Sequence, residues 1–325
     1  MIIVTGAMGF VGRSLVSQLL RSGNPVRVLI PAPIVARYQR RNRPWPWADA
    51  GEAEIVEGSI FQGESLFQAM QGVHTVFHLA SAQWWGNQRD LEQIDLLGTR
   101  QVITAARSAR VGRIIALSHL SAEPSSAYTL LRVKGQMEEL IRASGVAYTI
   151  FRCGVIFGPH DHFFNNLAMI LKSNPLMILQ PSHGENLLNP LYIDDLIAAL
   201  ENSMEQVTLV DETFDIGGGE FMTYNELIRT VMRVTSTRRM IFPIPPYMLR
   251  WLTSLANAIF PRWPITRQWF DLLAGNRTAQ LGNLYNYTGV RPVRVEDTLL
   301  TYMPKRRYGL EFIRYIFRRR PSIRF

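Results

Sequence analysis

The sequence predicts an α/β fold built on a doubly wound parallel sheet, with a smaller α/β domain on its C-terminal side and a basic tail. Three observations predict it. A short apolar strand, Met1 to Val4, runs into Thr5-Gly6-Ala7-Met8-Gly9-Phe10-Val11-Gly12 and from there into an amphipathic stretch, Ser14 to Leu20. Strand-like and helix-like segments then alternate as far as residue 158. Beyond Gly158-Pro159 the pattern breaks into short segments punctuated by Pro175, Pro181 and Pro190. Regular alternation of this kind gives a parallel sheet with its ligand at the carboxyl edge.

Taken in order, Val26 to Ile30 is the second strand, Ala53 to Gly58 the third and Thr75 to Ser81 the fourth. Helices over Ser65 to Met70 and Leu91 to Ser108 separate strands three, four and five, the last being Arg113 to Ser118. A helix from about Thr129 to Ser144 leads to the sixth strand, Tyr148 to Arg152. Tyr192 to Leu196 opens a helix ending near Ser203, and Thr213 to Gly219 is a strand closed by a glycine turn. Thr223 is a good N-cap for a helix over Tyr224 to Val234, with Glu226 completing a capping box. Residues 1–158, with about 187–218, form the sheet domain; about 159–186 and 219–304 form the smaller one; 305–325 are the tail.

The glycines at 6, 9 and 12 carry the first chemical signal. A strand turning sharply into a helix needs a residue without Cβ at the turn, a second where backbone approaches a pyrophosphate, and a third for close helix–strand packing. The free N–H groups of the helix then face the phosphates. The spacing GxxGxxG is a weak signal alone, but its strand–turn–helix context points to a nucleotide cradle of Thr5, Gly6, Gly9, Phe10, Val11 and Gly12.

A net charge of +9 suggests a nucleic-acid partner until it is located. Residues 305–325 hold eight Lys and Arg against Glu311 alone, or +7, which leaves +2 for the first 304 residues. The body is nearly neutral, so the basic tail needs its own explanation and nucleic acid is disfavoured. Cys153 is the only cysteine, which excludes an intramolecular disulfide and any multi-thiolate metal site. No metal-ligand constellation is apparent; His160, Asp161 and His162 follow a Gly-Pro turn and read as a polar loop. A cytoplasmic location, without signal peptide or membrane span, is expected.

Several segments in order resemble the extended short-chain dehydrogenases/reductases over roughly residues 1–300. Val76-Phe77-His78-Leu79-Ala80 is similar to that family's VFHLAA strand, and Asp95-Leu96-Leu97-Gly98-Thr99 to its NVxGT helix. Arg152 to Pro159 is similar to LRxxNVYGP, and Leu191 to Leu196 to FVxVDD. The resemblance implies a Rossmann-type domain with NAD(P) across its first half, Leu79, Ala80 and Ser81 beside it, and Ser59 and Ile60 near the adenine. It also implies a catalytic Tyr and Lys four residues apart on a helix, and a Ser at the end of strand five. The Lys would lower the Tyr pKa, so that the phenol exchanges a proton while the nicotinamide exchanges hydride.

Here Lys134 is present, where it would hydrogen-bond the nicotinamide ribose, but the residue four before it is Leu130. Tyr128 lies about 120° around the helix from the face that Leu130 shares with Lys134, so only an irregular first turn would aim it inward. Leu117-Ser118-His119-Leu120-Ser121 offers two serines and a histidine, of which His119 is a candidate proton donor. This combination resembles the atypical branch: the nucleotide-binding accessory subunits of respiratory complex I and proteins that assist assembly of photosynthetic complexes. Ser118 to Ala122, the Leu-Arg-x-Lys run at 131–134, and Ile156-Phe157-Gly158 followed by Asp161 and Phe163-Phe164-Asn165-Asn166 carry that likeness. It implies a tightly held dinucleotide that is mainly structural.

Ile30-Pro31-Ala32-Pro33 offers no acid to a ribose 2′-OH, and Arg37, Arg40, Arg41 and Arg43 follow, so NADP(H) is favoured over NAD(H) with Arg37 as 2′-phosphate partner. Met248, Trp251, Leu252, Leu255 and Ile259 recur at helical spacing between prolines, either packed on the second domain or docked at a bilayer interface. In the tail, Phe312, Ile313, Ile316 and Phe317 lie beside Arg314, Arg318, Arg319 and Arg320, a pattern suited to an anionic membrane or subunits of a membrane complex. The expected protein is therefore an NADP(H)-binding accessory or assembly component, peripheral on the cytoplasmic side of a membrane. The alternatives are an NADPH-dependent reductase or nucleotide-sugar epimerase/dehydratase-type enzyme, and an NADP(H) redox sensor.

Overall fold

The computed structural model describes residues 1–318. Its centre is a seven-stranded sheet of β1 (Ile2–Thr5), β2 (Val26–Ile30), β3 (Glu54–Glu57), β4 (Thr75–His78), β5 (Arg113–His119), β6 (Tyr148–Cys153) and the strand Glu212–Ile216. The order is β3-β2-β1-β4-β5-β6 and then 212–216, and every neighbouring pair is parallel. All four residues of β1 are buried, as a central strand covered on both faces requires. Alternate side chains enter separate cores: Ile2 and Val4 join Leu15, Val16 and Leu19 of α1 (Phe10–Arg21), whereas Ile3 joins Leu66, Val76 and Val102 on the other face. The order reverses between β1 and β4, so the glycine loop that follows β1 lies at the topological switch point.

Several helices were not apparent in the sequence pattern, among them Ala32–Arg40, Phe164–Ser173 and the three short helices between residues 267 and 302. The arginine-rich run after β2 is α2 (Ala32–Arg40), which starts on Pro33 in its first turn, where a missing N–H costs nothing. α3 (Gly63–Ala69) follows β3. The expected helix at 91–108 is three pieces: α4 (Gln88–Leu91), a π-helical stretch Glu92–Gly98, and α5 (Thr99–Ser108). Gly98 makes this possible, since a Cβ there would lie 2.6 Å from Ile60 Cδ1. The widened turn carries Asp95 on its inner side, completely buried.

α6 (Thr129–Arg142) precedes β6, and α7 (Phe164–Ser173), another helix the sequence pattern did not show, is capped by the Asp161 carboxylate. Asp161 accepts from the N–H groups of Phe163 at 2.7 Å and Phe164 at 2.6 Å, so the 160–162 cluster serves helix initiation. α8 (Ile193–Asn202) packs on α1. α9 (Tyr224–Val234) has the expected capping box, with Glu226 N donating to Thr223 Oγ1 at 3.1 Å and Thr223 N to Glu226 Oε2 at 2.8 Å. A two-stranded parallel sheet, Met177–Pro181 with Met240–Ile244, leads to α10 (Pro246–Ile259), then α11 (Arg267–Leu272), α12 (Asn283–Thr288) and α13 (Val295–Tyr302).

α10 lies with its apolar face outward. Leu249 and Thr253 are buried, whereas Tyr247, Met248, Trp251, Leu252, Leu255 and Ile259 are exposed. Packing of this stripe on the second domain is therefore not what the fold does. The first part of the basic tail is α14 (Tyr308–Ile316), docked on α7. Tyr308 is buried and its OH donates to Asn165 Oδ1 at 2.8 Å; Phe312 meets the edge of Trp263. Arg319, Arg320 and Arg324 lie outside the described residues. No helix among the described residues is long and apolar enough to cross a membrane.

Candidate functional site

The chain leaves β1 through Gly6 at φ +72°, where a Cβ would come within 2.7 Å of the Ala80 nitrogen beyond β4. Gly9 N donates to Gly6 O at 2.9 Å and closes the turn. A Cβ on Gly12 would lie 2.2 Å from that same carbonyl, so α1 can approach the strand only with glycine there. No side chain caps α1 at Gly9, and the N–H groups of its first turn face outward over the loop. That is the geometry of a pyrophosphate cradle.

A cleft of about 160 Å³ opens from this loop. Gly6, Gly9, Phe10, Val11, Gly12, Leu79, Ala80, Ser81 and Lys134 line it, together with Ser118, His119 and three groups that sequence reasoning did not mark, Trp84, Trp85 and His162. Thr5, Ser59, Ile60 and Arg37 do not line it. Thr5 is buried beneath, Ile60 is committed to the core, and the Ser59 hydroxyl accepts from Phe61 N at 3.2 Å. Arg37 lines a separate cavity described below.

Lys134 extends from α6 to the cleft, yet its charge is already met: Nζ lies 2.8 Å from Asp95 Oδ1 and 3.4 Å from the Leu117 carbonyl. Both partners of the ion pair are buried. Asp95 Oδ2 in turn accepts from Ala82 N at 3.1 Å. Asp95 was legible in its motif, but nothing in the sequence joins positions 39 apart; only the π-helical stretch and α6 do so.

Below the loop, Thr99 Oγ1 donates to Asp95 O at 2.7 Å and so accepts from His78 Nε2 at 2.9 Å, leaving His78 Nδ1 to accept from Thr5 Oγ1 at 2.8 Å. Burial, then the Lys134 charge, holds the His78 imidazole down at about 4, neutral at physiological pH. His119 is likewise pulled to about 4, first by burial and then, against a carbonyl contact from Leu120 at 3.3 Å that favours its charged form, by Arg277 and Lys134. Burial and the neighbouring cations thus work against the expected role of His119 as proton donor.

The remaining candidates point elsewhere. Ser118 Oγ donates to Glu138, a fully buried carboxylate also held by Arg152 at 2.7 Å and Arg142 at 2.7 Å. Tyr128 precedes the first turn of α6 in extended conformation and does not line the cleft. Leu130 has no exposed surface and packs in the core, its N–H on Asp271 Oδ2 at 3.1 Å. Cys153 lines the cleft as a thiol, since burial pushes its pKa far up. The arrangement can hold a dinucleotide; a phenol or imidazolium poised for proton transfer is not part of it.

The sequence pattern of the NAD(P)H-binding family matches residues 6–160, spanning the cradle, the cleft and Lys134. Over just under half its length the chain carries this NAD(P)H-binding pattern, and it is similar to epimerase/dehydratase-like short-chain dehydrogenases/reductases. Among relatives, the mitochondrial NADH dehydrogenase [ubiquinone] 1 alpha subcomplex subunit 9 of Mus musculus is 26% identical over 254 residues, covering 78% of this chain and 66% of its own. The chain thus spans just under two thirds of that relative. Photosystem II assembly factor Ycf39 of Cyanophora paradoxa is 32% identical over 158 residues, or 48% of this chain and 46% of its own. The fold also matches a nucleoside-diphosphate-sugar epimerase from Staphylococcus aureus at a TM-score of 0.72 and 14% identity, covering 92% of this chain and 99% of that one. Leu130 stands where the expected Tyr–Lys arrangement would place its tyrosine, and Lys134 is paired with Asp95.

Proposed function

We propose that this chain holds NADP(H) as a mainly structural element and acts as an accessory or assembly component of a membrane-bound electron-transfer complex. The Lys134–Asp95 ion pair carries the reading. A bound nicotinamide would supply hydride, but the lysine that should activate a phenol is neutralised by Asp95, and the position of that phenol is a buried leucine. What this chain's residues do is hold: the glycine loop and the first turn of α1 offer amides to the phosphates, and the Trp84 and Trp85 side chains wall the cleft against water. The cradle fits the group, because its glycines leave room that any Cβ would fill. NADP(H) is favoured by the missing acid after β2, where Pro31 precedes α2.

The relatives named for subunits and assembly factors of membrane complexes support the accessory role. So does the outward apolar face of α10, continued by Met240 and Phe242 of the neighbouring strand, which leaves a ridge suited to a bilayer or a membrane subunit. Native mass spectrometry of the purified protein tests the reading. Retained NADP(H) that resists exchange is expected; free exchange together with NADPH consumption on carbonyl substrates overturns it.

A further inference from the structure

A second cavity, of about 660 Å³, lies between α1, α2, the 160–166 segment and α14. His162 lines both this cavity and the glycine-loop cleft; the other lining residues differ. Six arginines converge on it: Arg13 of α1, Arg37 of α2, Arg262 after α10, and Arg306, Arg314 and Arg318 from the C-terminal segment. Two carboxylates face them. Glu311 is taken by Arg306 at 2.7 and 3.1 Å, and Asp161 is spent on the backbone of α7. Arg13, Arg37, Arg262, Arg314 and Arg318 form no ion pair among the described residues.

Like charges gathered around one space repel one another, and the repulsion is relieved only when an anion enters. The Arg262 guanidinium carbon lies over the Tyr315 ring, 4.3 Å from its centroid, and its Nε is buried without an acceptor. A fixed planar fork with an unmet donor suits a phosphate oxygen, and burying that donor is unfavourable until one arrives. The surrounding field is positive: Arg262 and Arg13 both act against protonation of His162, and Arg13 and Arg306 against that of His160. The volume is that of a small-molecule site, and arginines drawn from four separate segments exceed what one phosphate can satisfy.

We propose that this cavity binds a ligand carrying two or more closely spaced phosphate groups, at the same time as and separately from the dinucleotide. Such groups come from a soluble polyphosphate or from anionic phospholipid headgroups, and α14 joins the ligand to the sheet domain through Arg37 and Arg13. The role of α14 is then to complete a binding site shared with the Rossmann domain.

The test uses the full-length protein saturated with NADPH. Tripolyphosphate is titrated calorimetrically, and flotation is measured with phosphatidylcholine vesicles with and without phosphatidic acid. Arg314→Glu/Arg318→Glu is compared with the unaltered chain, since both side chains are exposed and unpaired. Tripolyphosphate binding that persists beside NADPH and weakens about tenfold or more per reversed arginine is expected. Flotation that needs phosphatidic acid and is lost in the variant assigns the phosphates to lipid; tripolyphosphate binding without flotation assigns them to a soluble ligand. The proposal is overturned if neither probe binds, if the variant binds as well as the parent, or if tripolyphosphate displaces NADPH. Retention of NADPH is read in the same samples, so loss of the dinucleotide with anion binding intact would sink the structural-cofactor reading alone.

Discussion

Lys134 Nζ and Asp95 Oδ1 meet at 2.8 Å in the wall of the cleft, and both side chains are buried. An ammonium already paired with a carboxylate has less to offer a phenolate, and on the proposed reading this contact separates dinucleotide binding from proton transfer. It also makes the cleft dependent on a pair whose halves are costly alone. Replacing Asp95 by Asn should leave an uncompensated buried charge and destabilise the protein by about 3–5 kcal/mol, whereas Lys134→Met with Asp95→Leu should recover much of that loss. Denaturant unfolding of the variants checks this; equal stability of Asp95→Asn and the parent would show that the pair is not structural.

Restoring the missing phenol should not restore turnover. Leu130→Tyr enlarges a side chain with no free space around it and is expected to cost about 1–3 kcal/mol. The new hydroxyl would still face a lysine already neutralised by Asp95. NADPH oxidation with carbonyl substrates is expected to stay at background in Leu130→Tyr, and a gain of turnover would show that Lys134 remains available.

Gly12→Ala is the sharpest test of the cradle. Its Cβ would fall 2.2 Å from Gly6 O and 2.8 Å from Ala7 Cα, both backbone atoms that cannot swing aside. The loop must open, and NADP(H) affinity should fall by about tenfold or more, corresponding to roughly 1.4 kcal/mol. Fluorescence titration with NADPH measures it; an unchanged dissociation constant would place the pyrophosphate elsewhere.

The sheet was legible because strand periodicity and glycine spacing are local signals. All seven strands of the sheet and the glycine turn follow from residues that are adjacent in sequence, and the capping box joins Thr223 and Glu226, only three positions apart. What was not legible depends on distant partners. α7 carries Asn165 and Asn166 through buried positions that Tyr308, Arg306 and the Pro264 carbonyl, together with the nearby Gly158 and Asp161, make tolerable, so its sequence reads as irregular. α2 was obscured by Pro31, Pro33 and its arginines. Asp95 and Lys134 find each other only through the π-helical stretch. For α10, the hydrophobic spacing states which face is apolar and says nothing about what covers it.

Acid should unfold the protein earlier than its carboxylates alone would require. His78, His119 and His162 are each held at about 4, below the ordinary value of about 6.5, so between those limits the unfolded chain binds more protons and stability falls as pH falls. Asp161 acts with the opposite sign. Burial pushes its carboxyl up to about 7, so the folded state holds an extra proton from the ordinary carboxylate range up to there, and stability falls as pH rises through that window. Burial likewise raises the Asp195, Asp215 and Asp271 carboxyls, so the histidine contribution is read by substitution rather than from the overall slope. His119→Asn should flatten the slope by one proton; a slope unchanged in that variant would mean that His119 is protonated in the folded protein.

The outward ridge of α10 makes the last prediction, because its exposure separates membrane contact from folding. Trp251 and Ile259 are each 65% exposed and Tyr247 is 71% exposed, so removing their apolar character takes little from the core. Trp251→Asp together with Leu255→Asp should change unfolding stability by no more than about 0.5 kcal/mol per site. Membrane attachment behaves oppositely, since each aromatic or aliphatic side chain withdrawn from a bilayer interface forfeits its buried apolar area and each new carboxylate is repelled by anionic lipid. The double variant should therefore remain folded and retain NADPH while failing to co-sediment with membranes. If it sediments like the parent, the ridge is not the membrane contact, and the basic surface of α14 would have to supply all of it.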